Sequence, residues 1–244
     1  MISQAIAKYE AEKGEKISLK AVLFDMDGVL FDSMGNHTLS WYNAIQEQNI
    51  ECNRDEFYLF EGATGNFTIN RLFNIHYNRE ATDAEKDHIY KRKSHFFNQL
   101  PKAEPMPFAY ELLNTVKLAG LVPILVTGSG QRSLLDRLNV HFPDVFTADR
   151  MVTAYDVKNG KPHPEPYLRG LKKINIQPHE AIVIENAPLG VQSAAAAGIF
   201  TVAVNTGPID DHILMDAGAD VLFDSMEDLY RNWEKIYALT HTAD

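Results

Sequence analysis

Ala21-Val22-Leu23-Phe24-Asp25-Met26-Asp27-Gly28-Val29-Leu30 is the stretch whose reading decides the fold. Ala21 to Phe24 is an apolar run of the kind that forms a buried strand. It stops on one acid, and a second follows two residues later. Alternate residues of an extended chain point the same way, so Asp25 and Asp27 can face a common site. Gly28 then lets the chain turn sharply away. The same tetrapeptide occurs in ordinary surface turns and in calcium loops, so alone it leaves those readings open. In an open α/β sheet, ligands bind just beyond the carboxyl ends of the strands. Two bare carboxylates there would repel and raise one pKa, so a divalent metal, a lysine or both are expected nearby.

Working outward, residues 1–19 read as a short helical extension ended by Gly14, with no function assigned. After Leu30 the spacing turns helical: Leu39, Tyr42 and Ile45 recur at three-residue steps, with Trp41 beside them. From about 33 to 105 only helical patterns appear, over 54–60, 66–77 and 82–98, and Pro101 and Pro105 close the region. Strand-like runs return after Pro107 and alternate with helices. The expected series is helix 107–119, strand 122–127, helix 130–139, strand 151–153, helix 164–174, strand 181–184, helix 188–197, strand 200–204 and strand 221–223. Such alternation predicts an α/β fold with a doubly wound, Rossmann-like parallel sheet. Residues 1–32 and 106–244 form the expected core. Residues 33–105 form an all-helical cap, inserted after the first strand and sitting over the edge where Asp25 lies.

Lys and Arg number 23 against 33 Asp and Glu, a net charge of −10, which disfavours nucleic acid or an anionic membrane as partner. Local lysines and a metal can still admit an anionic substrate. One cysteine, Cys52, excludes an intramolecular disulfide and points to a reducing compartment. No apolar run approaches the roughly 18 residues of a membrane span. The charged, amphipathic start is unlike a secretory signal. A cytoplasmic monomer is the expected state.

In a parallel sheet all strand carboxyl ends share one edge, so residues there meet whatever their sequence separation. The first end supplies Asp25 and Asp27. The second supplies Thr127-Gly128-Ser129-Gly130, a hydroxyl and small residues opening a helix, suited to a phosphate or carboxylate. Ser129 also reads as a plain helix cap. The third element, Gly160-Lys161-Pro162-His163, sets Lys161 at the site edge, where it can neutralise a carboxylate and a phosphoryl oxygen together. His163 reads as a solvated surface residue. The fourth is Ile182-Val183-Ile184-Glu185-Asn186-Ala187-Pro188, a buried strand again ending on an acid. Glu185 and Asn186 offer oxygen donors of the kind magnesium prefers.

These four motifs together resemble the haloacid dehalogenase superfamily of phosphotransferases over nearly the whole chain. Asp25-Met26-Asp27-Gly28 matches its first motif, Thr127 its second, Lys161 its third and Glu185-Asn186 its fourth. Asp32-Ser33, His37 and Trp41 resemble the start of the helical cap in the β-phosphoglucomutase branch. The resemblance implies Asp25 as nucleophile, forming an aspartyl phosphate, and Asp27 as general acid and base. It implies that Thr127 and the amides near Gly128 and Ser129 hold the phosphoryl oxygens, and that Lys161 bridges Asp25 and the phosphoryl group. It implies Mg²⁺ held by Asp25, the Asp27 carbonyl and Glu185.

The chain departs from that pattern at Asn186, where the superfamily usually carries aspartate. It departs again in Phe60-Glu61-Gly62-Ala63-Thr64-Gly65. The β-phosphoglucomutase loop resembles Leu-Lys-Gly-x-Ser-Arg, so Glu61 stands at the lysine position and Gly65 at the arginine position. Losing the arginine removes a bidentate phosphate clamp, and an acid at Glu61 is placed to add a carboxylate to the metal site on cap closure. The combination of Glu61, Lys93, Lys161 and Asn186 is similar to the inorganic pyrophosphatases of this superfamily from Bacteroides, as are the stretches Thr127-Gly128-Ser129-Gly130-Gln131 and Val183 to Gly190. That likeness implies Glu61 at the metal and Lys93 at the leaving phosphate; the Asn186 amide can coordinate the metal through its carbonyl, and His37 is a further candidate for substrate contact. Read without the likeness, Glu61 is a solvated loop acid, Lys93 belongs to the charged run Lys91-Arg92-Lys93, and His37 and Trp41 are packing residues. The leading expectation is thus a Mg²⁺-dependent hydrolase of a small phosphorylated substrate, with pyrophosphate first. The alternative is an isomerase of the β-phosphoglucomutase type.

Overall fold

The structure, a computed structural model, describes residues 2–130 and 132–241. Gln131 lies outside them. Six parallel strands, β1 (Ala21–Phe24), β2 (Val122–Val126), β3 (Met151–Val152), β4 (Ala181–Glu185), β5 (Phe200–Val204) and β6 (Val221–Phe223), lie in the order β3-β2-β1-β4-β5-β6. The chain winds from β1 outward to β3, then crosses back to place β4 on the other side of β1. That reversal makes a crevice at the carboxyl end of β1. The expected doubly wound α/β sheet is what forms.

The apolar runs are continuous because both faces of the sheet are covered. Val22, Phe24, Ile182 and Ile184 join one core, with Leu112, Leu229 and Trp233 from flanking helices. Ala21, Leu23, Ala181 and Val183 join the other, with Tyr167, Leu171 and Ala194. Between β1 and β2 there is no strand. Helices α2 (Met34–Gln46), α3 (Glu56–Leu59), α4 (Gly65–Tyr77) and α5 (Asp83–Gln99) share their own apolar cluster, which includes Trp41, Ile45, Phe57, Ile69, Leu72 and Ile89. The buried face of α2 runs through Met34, His37, Thr38, Trp41, Ala44 and Ile45. Leu39 and Tyr42, expected on that stripe, are only half-buried. α5 starts on a capping box in which Thr82 and Glu85 satisfy each other's end groups.

Beyond the first strand and this block follow α6 (Ala109–Leu118), α7 (Arg132–His141), α8 (Glu165–Lys173), α9 (Pro188–Ala196), α10 (Asp211–Asp216) and α11 (Met226–Thr240). The last two were not read from the sequence. For α11 the signal was present: Ser225 caps it by accepting from the Asp228 amide, and Leu229, Trp233, Ile236 and Thr240 form its buried stripe. No helix among the described residues is long and apolar enough to cross a membrane.

The N-terminal extension has a packing role. Helix α1 (Ile2–Lys13) buries Ile2, Ile6 and Tyr9, and the Tyr9 hydroxyl donates to Gly198 O at 2.7 Å. Beneath it, Asp220 accepts from the Thr201 amide at 2.7 Å. Burial pushes the Asp220 carboxyl up to about 6, with the Thr201 hydrogen bond opposing and Glu12 reinforcing the rise. An acid raised in the folded state favours folding below its unfolded pKa and loses that contribution as pH rises through the folded value, here between about 4 and 6. Asp220→Asn is therefore expected to raise stability by about 1–2 kcal/mol at pH 8, discounted for partial exposure, and to change little near pH 4. Urea unfolding at the two pH values checks this. Equal effects at both would refute it.

Candidate active site

The register of the three central strands assembles the site. Phe24 pairs with Leu125 on one side and with Ile184 on the other. One residue further on, the Asp25 amide donates to Ile184 O at 3.0 Å. Asp25, Thr127 and Glu185 thus meet at one edge although up to 160 residues separate them. Lys161 arrives from the loop ahead of α8. Its ammonium donates to Asp25 Oδ1 at 2.6 Å, Glu185 Oε1 at 2.6 Å and Val126 O at 2.9 Å. These use all three of its donors. Any further acceptor must displace one of them.

Glu185 is equally engaged. Oε1 also accepts from the Tyr167 hydroxyl at 2.7 Å, and Oε2 from the amides of Asn186 and Ala187 at 3.0 and 3.2 Å. In this state Glu185 is the counter-charge that holds Lys161. One lysine faces two buried carboxylates, so the cluster carries an excess negative charge. Burial pushes the Asp25 carboxyl well above its ordinary value; Lys161 pulls it back, while Glu185 and Asp27 push it further. Keeping Asp25 as the anion a nucleophile requires calls for one more positive charge.

Asp27 lies in a second cluster. Ser33 Oγ donates to Asp27 Oδ1 at 2.5 Å, and His37 Nε2 lies 3.2 Å from the same oxygen. Burial alone would raise the Asp27 carboxyl, but His37, Ser33 and Lys93 outweigh it and hold it below its usual range. Lys93 Nζ sits 2.9 Å from His37 Nδ1. A charged ammonium only donates, so Nδ1 accepts and Nε2 carries the proton that faces Asp27. Burial pulls Lys93 down to about 8, against Glu61 and Asp27, which leaves it mostly charged at neutral pH. Glu61 reaches within 3.9 Å of His37 Nδ1, and burial pushes its carboxyl up. Glu61 is therefore no solvated loop acid, and Lys93, 2% exposed, does not belong to a solvated charge run.

His37 faces Asp27 and Lys93 while lining the same cavity as Glu61, Gly128 and Ser129. The Thr127 hydroxyl accepts from the Ser129 amide at 2.9 Å and so shapes that loop. His163 is exposed, as expected. Three site residues escaped the sequence reading as such: Ser33 on Asp27, Tyr167 under Glu185, and Tyr90, which packs over Gly65. Tyr90 reads in sequence as one more apolar position of α5, with nothing to reveal what it covers.

The oxygen donors fit a hard divalent cation. Asn186 Oδ1 is buried and has no hydrogen-bond partner among the described residues, and only a glycine at 28 leaves room for this side chain, since a Cβ there would lie 2.0 Å from Asn186 Nδ2. Asp27, His37 and Glu61 also bring ligand atoms within 4.8 Å of one another. The cavity that His37 and Glu61 line is small, about 20 Å³, room for roughly one water. Larger cavities border α7, away from the carboxylates.

The family model for haloacid dehalogenase-like hydrolases matches residues 22–204. A phosphorylated carbohydrates phosphatase of Thermotoga maritima is 30% identical over 206 residues, 84% of this chain and 94% of that protein. The beta-phosphoglucomutase of Bacillus subtilis is 28% identical over 226 residues, 89% of this chain and 96% of that protein. A solved structure titled "Putative beta-phosphoglucomutase from Bacteroides vulgatus" superposes with a TM-score of 0.95 at 52% identity, over 99% of this chain and 98% of that one. With the parallel sheet and the Asp25–Lys161–Glu185 cluster at its edge, these matches show that the chain belongs to the haloacid dehalogenase-like hydrolases.

Proposed function

We propose that the chain is a magnesium-dependent phosphoryl-transfer enzyme that works through Asp25 on a small phosphorylated substrate. The observation that carries this is Asp25 held by Lys161 at 2.6 Å, with Asp27 two residues on in a separate, proton-handling cluster. An Asp25 carboxylate oxygen attacks phosphorus in line as the bond to the leaving oxygen breaks, giving an aspartyl phosphate. Asp27, once protonated, gives its proton to the leaving oxygen. It then takes a proton from water, whose oxygen attacks the same phosphorus and releases Asp25. Thr127 and the amides beside it receive the phosphoryl oxygens. A bound magnesium ion would disperse phosphoryl charge and keep Asp25 ionised; Asp25, the Asp27 carbonyl, Glu185 and Asn186 are the donors we assign to it.

The names of the relatives described above favour phosphorylated sugars, and with them the mutase alternative, over pyrophosphate, which none of them names. Pyrophosphate remains a second reading on a specific observation. Glu61 and Tyr90 close the far end of the cavity, and a Cβ on Gly65 would lie 2.4 Å from the Tyr90 ring, so the arginine expected of a sugar-phosphate clamp has neither residue nor space. The test is turnover of β-glucose 1-phosphate, fructose 1-phosphate and pyrophosphate with magnesium, and again with EDTA. Turnover of at least one is expected at a kcat/KM of about 10⁴ M⁻¹s⁻¹ or more, and EDTA is expected to abolish it. Fast sugar-phosphate turnover with poor pyrophosphate would end the second reading, and the reverse would end the mutase one. Activity that survives EDTA would end the phosphotransfer scheme. Glu61→Ala is expected to weaken magnesium dependence or pyrophosphate turnover selectively; unchanged values would make Glu61 a bystander.

A further inference from the structure

The loop between α3 and α4 packs against a glycine at two points, Gly128 and Gly160. A Cβ on Gly128 would lie 2.2 Å from Gly62 O, 2.9 Å from Gly62 C and 3.1 Å from Ala63 O. A Cβ on Gly160 would lie 2.5 Å from Thr64 Cγ2 and 3.4 Å from Thr64 N. Gly62 in turn reaches 3.3 Å from the Lys161 stem and 3.5 Å from Gly190 N, measured from its own missing Cβ. Neither Gly128 nor Gly160 has a positive φ, so their own backbone does not require glycine. What requires it is the approach of the cap loop.

We infer that Gly128 and Gly160 form a seat that sets how deeply the helical cap closes, and through that depth the size of substrate the site turns over. The reasoning rests on the phosphotransfer reading above for its activity arm only. The loop that sits on the seat carries Glu61, and Gly65 follows directly behind, packed against Tyr90 of α5. A shift of this loop by one methyl group therefore moves the wall of a cavity that holds about one water. At Gly128 the opposing atoms are backbone and cannot rotate away. At Gly160 the opposing atom belongs to Thr64, a residue without a hydrogen-bonded role for its side chain at the start of α4. That difference makes the Gly160–Thr64 pair separable by mutation. Gly160 is a positioning residue that touches no reacting atom, whereas Gly128 also lends its amide to the phosphoryl oxygens, so the test is made at Gly160.

The experiment compares the wild type with Gly160→Ala, Thr64→Ala and the double variant. Small-angle scattering with magnesium and tetrafluoroaluminate reads closure, and kcat/KM for pyrophosphate and fructose 1-phosphate reads its consequence. Gly160→Ala is expected to be more extended than the wild type and to lose tenfold or more in kcat/KM for pyrophosphate, with a smaller loss for the larger ester. Thr64→Ala is expected within twofold of wild type, and the double variant is expected to regain compactness and return within threefold, since Cβ then faces Cβ at 3.5 Å. A double variant as extended and slow as Gly160→Ala would overturn the inference and place the defect in the neighbouring Lys161. A Gly160→Ala protein as compact and active as the wild type would overturn it too. If neither substrate is turned over by the wild type, the substrate reading has failed while scattering still decides the seat.

Discussion

Asp25→Asn is expected to lower turnover by at least about 10⁴-fold while leaving the fold standing. The amide has the shape of the carboxylate but cannot become an acyl phosphate. Stability should hold, because burial already disfavours the charged form of Asp25, so the substitution removes an anion the interior resists. Lys161 keeps Glu185 Oε1 and Val126 O as acceptors, and a side-chain amide oxygen can replace Asp25 Oδ1. The check is phosphate release beside a thermal melt. Wild-type-like turnover at an unchanged melting temperature would remove Asp25 from the chemistry; lost turnover with a melting temperature lowered by more than about 8 °C would make its role structural.

Lys161→Met has the second large expectation, and it falls on stability as well as rate. Methionine fills much of the lysine stem's space but leaves Asp25 and Glu185 facing each other, buried and without their cation. Removing one partner of a buried ion pair costs about 3–5 kcal/mol. The sign of its pH dependence follows from the acids left behind. With Lys161 gone, Asp25, already pushed up by burial, loses the cation that pulls it back, so the variant keeps more of its stability at low pH and loses it as pH rises through the folded pKa of Asp25. Urea unfolding should therefore show a larger deficit at pH 8 than at pH 5. A deficit independent of pH would mean that lost packing, not unpaired charge, sets the cost. Turnover should fall with it, since the same ammonium faces the nucleophile and the incoming phosphoryl group.

Three of the residues we propose for the chemistry were legible because each stands at the end of a buried apolar run. Asp25 follows Ala21–Phe24, Thr127 follows Val122–Val126, and Glu185 closes Ala181–Glu185. A parallel sheet brings such ends together regardless of sequence distance, so their order along the chain was enough to place them on one edge. The helical spacing of the inserted block was equally plain, and only its buried stripe was misjudged, at Leu39 and Tyr42. Helix α11 was missed although Ser225, Glu227 and Asp228 announce its start.

What spacing could not supply was partnership. Whether Glu61 and Lys93 are solvated or buried depends on how α2, the 60–65 loop and α5 pack over the sheet, and no local pattern encodes that distance. The sharing of Asp27 between Ser33 and His37, and the use of all three Lys161 donors, are likewise properties of side chains meeting from different elements. Tyr90 fills the space above Gly65 because α5 packs against the start of α4 there. Strand ends and their acids follow from local polarity and period, which act over a few residues; burial, protonation and cavity size follow from the dielectric and steric surroundings that long-range packing creates.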